Sequence, residues 1–294
     1  ALGNQASEAV EPKRGIWRLN LEGAALVSGR PAWEIGSTLL TQAIETKTLG
    51  TPTFFDIGFA SVLWSGADDG SEWGVDPLIG ISILSKNWGA RVDSWTGWLG
   101  SRWDAGAIGT AYRYFGDSAR SRGRLGAMVK WSRYAASMVG GFCQWDREWQ
   151  PWSIETRTDL RWRRDPVEDS TLVVNGVPED DSLRTTVRGA RLQGLGKVRI
   201  LRRFGRLSVG PAFEIDARTS LASDSWHDGK VRHRSIRRDG GSSVQGVARI
   251  ALARLGFGEV RVGWLKGFSN SEIDPEFVQR NSGLLVAIGS ALSF

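Results

Sequence analysis

The sequence predicts an all-β fold, a transmembrane antiparallel up-and-down β-barrel of about 14 strands. Three observations carry that expectation. Apolar and polar residues alternate along most of the chain, long and short links alternate in its second half, and 15 Trp accompany 37 Gly with only 9 Pro.

The first alternating run is Ile16-Trp17-Arg18-Leu19-Asn20-Leu21-Glu22, which puts Trp17, Leu19 and Leu21 on one face and Arg18, Asn20 and Glu22 on the other. After Trp152, Ile154, Thr156, Thr158, Leu160 and Trp162 oppose Glu155, Arg157, Asp159, Arg161 and Arg163. Leu207, Val209, Phe213 and Ile215 alternate with Ser208, Gly210, Glu214 and Asp216, and Val260, Val262 and Trp264 with Glu259, Arg261 and Gly263. At the end, Leu284, Val286, Ile288, Ser290, Leu292 and Phe294 oppose Gly283, Leu285, Ala287, Gly289, Ala291 and Ser293. Strand segments follow at 16–27, 32–43, 53–64, 74–84, 89–99, 103–115, 124–134, 136–146, 152–163, 185–202, 206–219, 243–255, 257–266 and 282–294. An even count suits a bacterial barrel, and merging the weak segments between 89 and 146 gives about 12 as the alternative. The junctions at Gly205 and Gly256 are tight, whereas 164–184, 220–243 and 267–282 are long and polar. Residues 1–14 form an N-terminal extension, and 15–294 the barrel.

Composition removes other classes. The 294 residues are 41% hydrophobic, and the longest apolar run, Leu284 to Ile288, is far shorter than a membrane-spanning helix requires. Glycine-rich disordered chains lack large aromatics, so disorder is excluded. Lys occurs at seven positions only, so Arg supplies 31 of 38 basic residues. That basicity suits acidic partners. The single Cys143 and two His leave no intrachain disulfide and little for metal chemistry, so no cofactor or metal is expected. The start at Ala1 suits a mature form whose signal peptide has been removed. Rossmann, P-loop and EF-hand spacings do not occur. A soluble sandwich or propeller also uses alternating strands, and charged faces turned outward to water would favour it.

The final strand, with apolar residues at alternate positions back from Phe294, resembles the C-terminal signal of bacterial outer-membrane β-barrel proteins. The resemblance implies location in the cell outer membrane, recognition by the barrel-assembly machinery, and contact with outer-membrane lipid and lipopolysaccharide. Both termini are then expected in the periplasm. Trp152 and Trp162, ten residues apart on one face, fit two interfacial aromatic girdles roughly 25 Å apart. Trp17, Trp264 and Phe294 join them as membrane-interface candidates. One such pair alone would equally suit a soluble core.

In a barrel the charged face is the lumen. The inward candidates are Arg18, Arg157, Arg161, Arg163, Arg218, Arg249 and Arg261 against Glu22, Glu155, Asp159, Glu214, Asp216 and Glu259, so the signs nearly cancel. A mixed wall suits a weakly selective passive channel for small hydrophilic solutes, and equally a non-conducting barrel that anchors an envelope complex.

Two long loops carry further candidates. The acidic loop holds Glu179, Asp180 and Asp181, without the ligand spacing of a calcium loop, and Asn175-Gly176 as a hairpin turn. The basic loop holds Lys230, Arg232, Arg234, Arg237 and Arg238, residues suited to phosphates of lipopolysaccharide or another anionic glycan, although a solvated face is the commoner use of such a run. Asp224-Ser225-Trp226-His227-Asp228 contains the residue types of a hydrolase, but adjacency in sequence does not build a triad, so a lipid-active outer-membrane enzyme ranks third among the readings and no enzymatic activity is expected. Nucleic acid ranks last, because the Arg residues are dispersed over most strands and matched by acids.

Overall fold

The computed structural model describes residues 17–27, 32–48, 50–66, 70–99, 102–118, 121–133, 137–164, 168–171, 173–174, 177–178, 184–187, 190–221, 224–228, 231–252, 255–270 and 277–293. Its strands are β1 (Trp17–Val27), β2 (Ala32–Thr48), β3 (Thr51–Gly66), β4 (Gly70–Leu84), β5 (Trp88–Leu99), β6 (Arg102–Ser118), β7 (Ser121–Ser132), β8 (Ser137–Trp149) and β9 (Trp152–Arg164). Four short strands follow, β10 (Glu168–Thr171), β11 (Val173–Val174), β12 (Val177–Pro178) and β13 (Arg184–Val187). Then come β14 (Ala190–Phe204), β15 (Leu207–Ser220), β16 (Asp224–Asp228), β17 (Val231–Ser235), β18 (Arg238–Ala251), β19 (Gly256–Ser269) and β20 (Gly283–Ser293), with a single helical turn, α1, at Phe277–Arg280.

Fourteen strands, β1–β9, β14, β15 and β18–β20, pair antiparallel in sequence order, and β20 returns to β1 through Arg18↔Ser293 to Val27↔Leu284. Closure satisfies the backbone of every strand and leaves no edge, the condition for a sheet in lipid. No described helix is long and apolar enough to cross a membrane. Each of the fourteen alternating segments of the sequence corresponds to one barrel strand.

Two boundaries differ from expectation. Segment 185–202 divides, because Arg184–Val187 joins a small sheet outside the barrel in the order β10-β13-β16-β17. Segment 243–255 starts earlier, at Arg238, because Asp239-Gly240-Gly241-Ser242, which reads as a loop, pairs residue for residue with β15. Arg238 therefore belongs to a strand. The strands flanking Asn175-Gly176 pair with each other, Val174↔Val177.

The start of β1 and the end of β20 lie at one end of the barrel, together with links at 49–50, 85–87, 119–120, 150–151, 205–206 and 252–255. The links at 165–189, 221–237 and 270–282 lie at the other. The sharpest short link is Phe204-Gly205-Arg206-Leu207, where Gly205 has φ +63°, a conformation that costs glycine little.

The outward face is apolar. Leu160, Phe213 and Ile215 expose 58%, 47% and 50% of their surface, values that would be anomalous in a water-soluble protein when repeated around the whole barrel. Trp residues close this band at both ends. Trp17, Trp88, Trp149 and Trp152 are exposed at the short-link end, and Trp33, Trp73, Trp98, Trp103, Trp131, Trp162 and Trp264 toward the other. This is the disposition of interfacial girdles. Phe294 lies outside the described residues.

Candidate functional site: the charged inner wall

Alternation places the charged residues on the opposite side from this belt, and their contacts fix that side as the interior. Arg18 of β1 pairs with Asp56 of β3 across β2, and Arg91 of β5 reaches the same carboxylate across β4 at 2.8 Å. Arg249 of β18 reaches Glu155 of β9, two strands beyond its neighbour, at 3.0 Å. Side chains converge on the concave face of a closed barrel, which brings residues of strands this far apart within reach.

Most of the ion pairs fall into two groups. The larger spans β9 to β19 around three carboxylates. Glu259 takes Arg199 at 3.2 Å, Arg249 at 2.8 Å and Arg261 at 3.4 Å. Glu155 takes Arg199 at 3.4 Å as well as Arg249, and Glu214 takes Lys197 at 3.2 Å and Arg261 at 3.1 Å. Beside it, Asp159 accepts from Arg157 at 3.1 Å and from Arg161 at 3.0 Å, while Asp216 accepts from Arg218 at 2.6 Å and from Gln193 at 2.8 Å. The smaller group is Arg18–Asp56–Arg91–Asp93, in which Arg91 donates to Asp93 at 2.6 Å and 2.7 Å. Glycine makes room for it: a Cβ on Gly80 would lie 2.6 Å from Asp93 Oδ1 and 2.8 Å from Arg91 Nη2.

The structure thus places Arg18, Glu155, Arg157, Asp159, Arg161, Glu214, Asp216, Arg218, Arg249, Glu259 and Arg261 in these interior contacts, and the register sets Glu22 and Arg163 on the same face. Asp56, Arg91, Asp93, Lys197 and Arg199 belong to the same wall, although the sequence reading did not single them out. Arg199 was legible, since Lys197, Arg199 and Leu201 alternate with Val198 and Ile200. Asp56 was hidden by Phe54-Phe55, which breaks the alternation.

Burial along the wall is uneven. Asp56 is 0% exposed, whereas the Asp216 and Glu155 side chains keep 31% and 25% of their surface. Those remaining surfaces face the interior. Fourteen strands about 4.8 Å apart and tilted about 40° give a backbone radius of roughly 14 Å, wide enough for water between opposed side chains. Three rings line the wall nearer the short-link end, each under a guanidinium: Tyr114 under Arg122 at 4.8 Å, Tyr112 under Arg124 and Phe142 under Arg157, both at 5.6 Å.

The basic loop residues separate. Arg237 donates to Asp239 at 2.6 Å, and the Arg238 backbone N–H donates to Asn270. Arg232 and Arg234 fall in β17, and His227 in β16 opposite Arg232. Lys230, Glu179, Asp180, Asp181 and residues 1–14 lie outside the described residues. Among the described residues no group of His, Cys, Asp and Glu could hold a metal ion.

No protein-family profile and no curated protein matches the chain. Among solved structures it is similar to a bacterial polysaccharide outer membrane secretin, at 11% identity and TM-score 0.45, over 95% of this chain and 99% of the other. It is also similar to the outer membrane protein OprD from Pseudomonas aeruginosa, at 9% identity and TM-score 0.43, over 97% and 96%. A third is the NanC porin, at 10% identity and TM-score 0.41, over 94% and 100%. The closed ring, the apolar belt between two Trp levels and the charged interior make this chain a fourteen-stranded barrel of the bacterial outer-membrane type.

Proposed function

We propose that the barrel is a passive channel for small hydrophilic solutes, with the Arg and carboxylate side chains of the inner face as its wall. The observation that carries this reading is the water-accessible surface kept by inward charges such as Asp216 and Glu155 inside a fourteen-stranded ring. A dry, filled barrel would cover them with apolar side chains. In this reading both termini and the links at their end of the barrel are periplasmic and the end that carries the long links is extracellular, where Lys230, Arg232 and Arg234 meet phosphates of lipopolysaccharide. The last strand is the segment handed to the barrel-assembly machinery. The reading assigns the chain no chemical step.

The test is single-channel recording from purified protein in a planar bilayer under a salt gradient. Stable open steps support the channel. Reproducible insertion without current overturns it and favours a second reading, a closed barrel anchoring an envelope complex. The observation favouring that alternative is the Arg199–Glu259 pair, both side chains 5% exposed, which with Arg249–Glu155 ties β9, β14, β18 and β19 across the interior.

A further inference from the structure

The outward face of the barrel carries charge of one sign only. Every carboxylate that a barrel strand holds in register turns inward, including Asp146 and Glu148, the neighbours of Arg147 in β8. The cations do not all follow. The register turns Arg113 of β6, Arg147 of β8 and Arg202 of β14 outward near the short-link end, opposite Trp88, Ile154 and Trp152 respectively. The other outward cations in register, Arg164, Arg238 and Lys266, lie toward the long-link end.

Arg113, Arg147 and Arg202 occupy every second strand of one arc of the ring, β6-β7-β8-β9-β14. With strands about 4.8 Å apart, a rise of about 3.3 Å per residue and a tilt near 40°, the register puts the three within about 4 Å of one height and about 12–16 Å apart around the wall. All are exposed, and among the described residues none gives Arg113 or Arg147 an ion pair or a hydrogen bond. Arg202 lies over the rings of Trp152 at 5.6 Å and Phe204 at 5.1 Å, which hold it at the aromatic girdle. A guanidinium on the outside of a barrel is tolerated where its stem lies along apolar surface and its head reaches the lipid headgroups. Above Arg113 the outward positions Ala111, Gly109 and Ala107 are small, while Val92 and Val129 stand exposed on either side of Gly109. A shallow furrow therefore leads from this guanidinium into the apolar belt.

We infer that this arc is a binding site for anionic phospholipid, in which Arg113, Arg147 and Arg202 hold headgroup phosphates and the furrow along β6 takes an acyl chain. The guanidinium fork matches phosphate oxygens in pairs, and no carboxylate on this face competes for it. A zwitterionic lipid would bring its own cation to the same three charges, so a lipid of net negative charge is preferred. The furrow and the guanidiniums point to one leaflet, because the head sits at the girdle and the chain runs toward the middle of the belt. In the orientation proposed above that leaflet is the periplasmic one, which makes phospholipid rather than lipopolysaccharide the source of the phosphate. The site needs a bilayer but no open lumen, so it stands apart from the channel reading.

The test uses Cys143, the single cysteine, which faces outward in register with Arg113 two strands away and lies about 10 Å above Arg147. A small bimane fluorophore on Cys143, in protein reconstituted into vesicles, is quenched by phosphatidylglycerol or by phosphatidylcholine with brominated chains. The reference is the same label at Ile288→Cys in a Cys143→Ser background, on the far side of the ring in β20, where no cation of β19, β20 or β1 faces outward near the short-link end. The expected glycerol-to-choline quenching ratio is at least about twofold higher at 143 than at 288. That excess should vanish in the triple variant Arg113→Gln, Arg147→Gln, Arg202→Gln and shrink between about 0.05 M and about 0.5 M salt. Unchanged quenching by phosphatidylcholine in the variant shows that it has inserted. Equal ratios at the two positions, or an excess that survives the triple variant, overturn the inference. Weak quenching by both lipids at 143 beside normal quenching at 288 also overturns it, because protein rather than lipid would then cover the arc.

Discussion

Asp56 offers the sharpest energetic prediction. Its carboxylate is fully buried and takes Arg18 from one side and Arg91, at 2.8 Å, from the other, so one residue links β1, β3 and β5. Asp56→Asn keeps the shape and removes the charge. Leaving a buried partner uncompensated costs about 3–5 kcal/mol in general. Here the cost is lower, because Arg91 retains Asp93 and the Arg18 and Arg91 side chains keep 18% and 17% of their surface. About 2–3 kcal/mol remains, which is roughly a hundredfold in the unfolding equilibrium. Urea unfolding in lipid vesicles, followed by the fluorescence of the 15 Trp, measures it. Replacing Asp56 and Arg18 together by Leu should recover most of the loss. A change below about 0.5 kcal/mol for Asp56→Asn would refute the idea that this pair holds the wall together.

Other expectations follow from the two faces. Leu160 lies 58% exposed in the lipid belt two residues inside the level of Trp162, so Leu160→Arg should cost about 1–2 kcal/mol in the same unfolding assay, less than the same change at mid-belt. Glu259→Gln leaves Arg199, Arg249 and Arg261 with one acid fewer, and the reversal potential under a salt gradient should move toward anion preference; no shift would place this group outside the conducting path. Cys143 points outward between inward Phe142 and Gln144, so a membrane-impermeant maleimide should label it only after unfolding. Gly80→Val should separate Arg91 from Asp93, with a stability loss reduced by Asp93→Ala.

Much of this was legible in the sequence because a barrel imposes one simple rule, alternation, on every strand. Strands with charge on one face, such as β9 from Ile154 to Arg163, declared both their extent and their orientation. Legibility failed where the rule is masked. Gly240-Gly241 carries no side chain to alternate, so the start of β18 read as a loop. Phe54-Phe55 concealed Asp56. Which acid meets which base depends on stagger between distant strands, and no local pattern contains that: Glu155 and Arg249 lie 94 residues apart.

Cysteine accessibility along β15 is the most direct check on the claim that the charged face lines water and the apolar face lines lipid. In a Cys143→Ser background, single cysteines at Phe213, Glu214, Ile215 and Asp216 would be exposed in vesicles to a small charged methanethiosulfonate. The account predicts reaction at 214 and 216 and silence at 213 and 215, matching the register that turns Glu214 and Asp216 inward. Reaction at 213 and 215 with silence at 214 and 216 would contradict it.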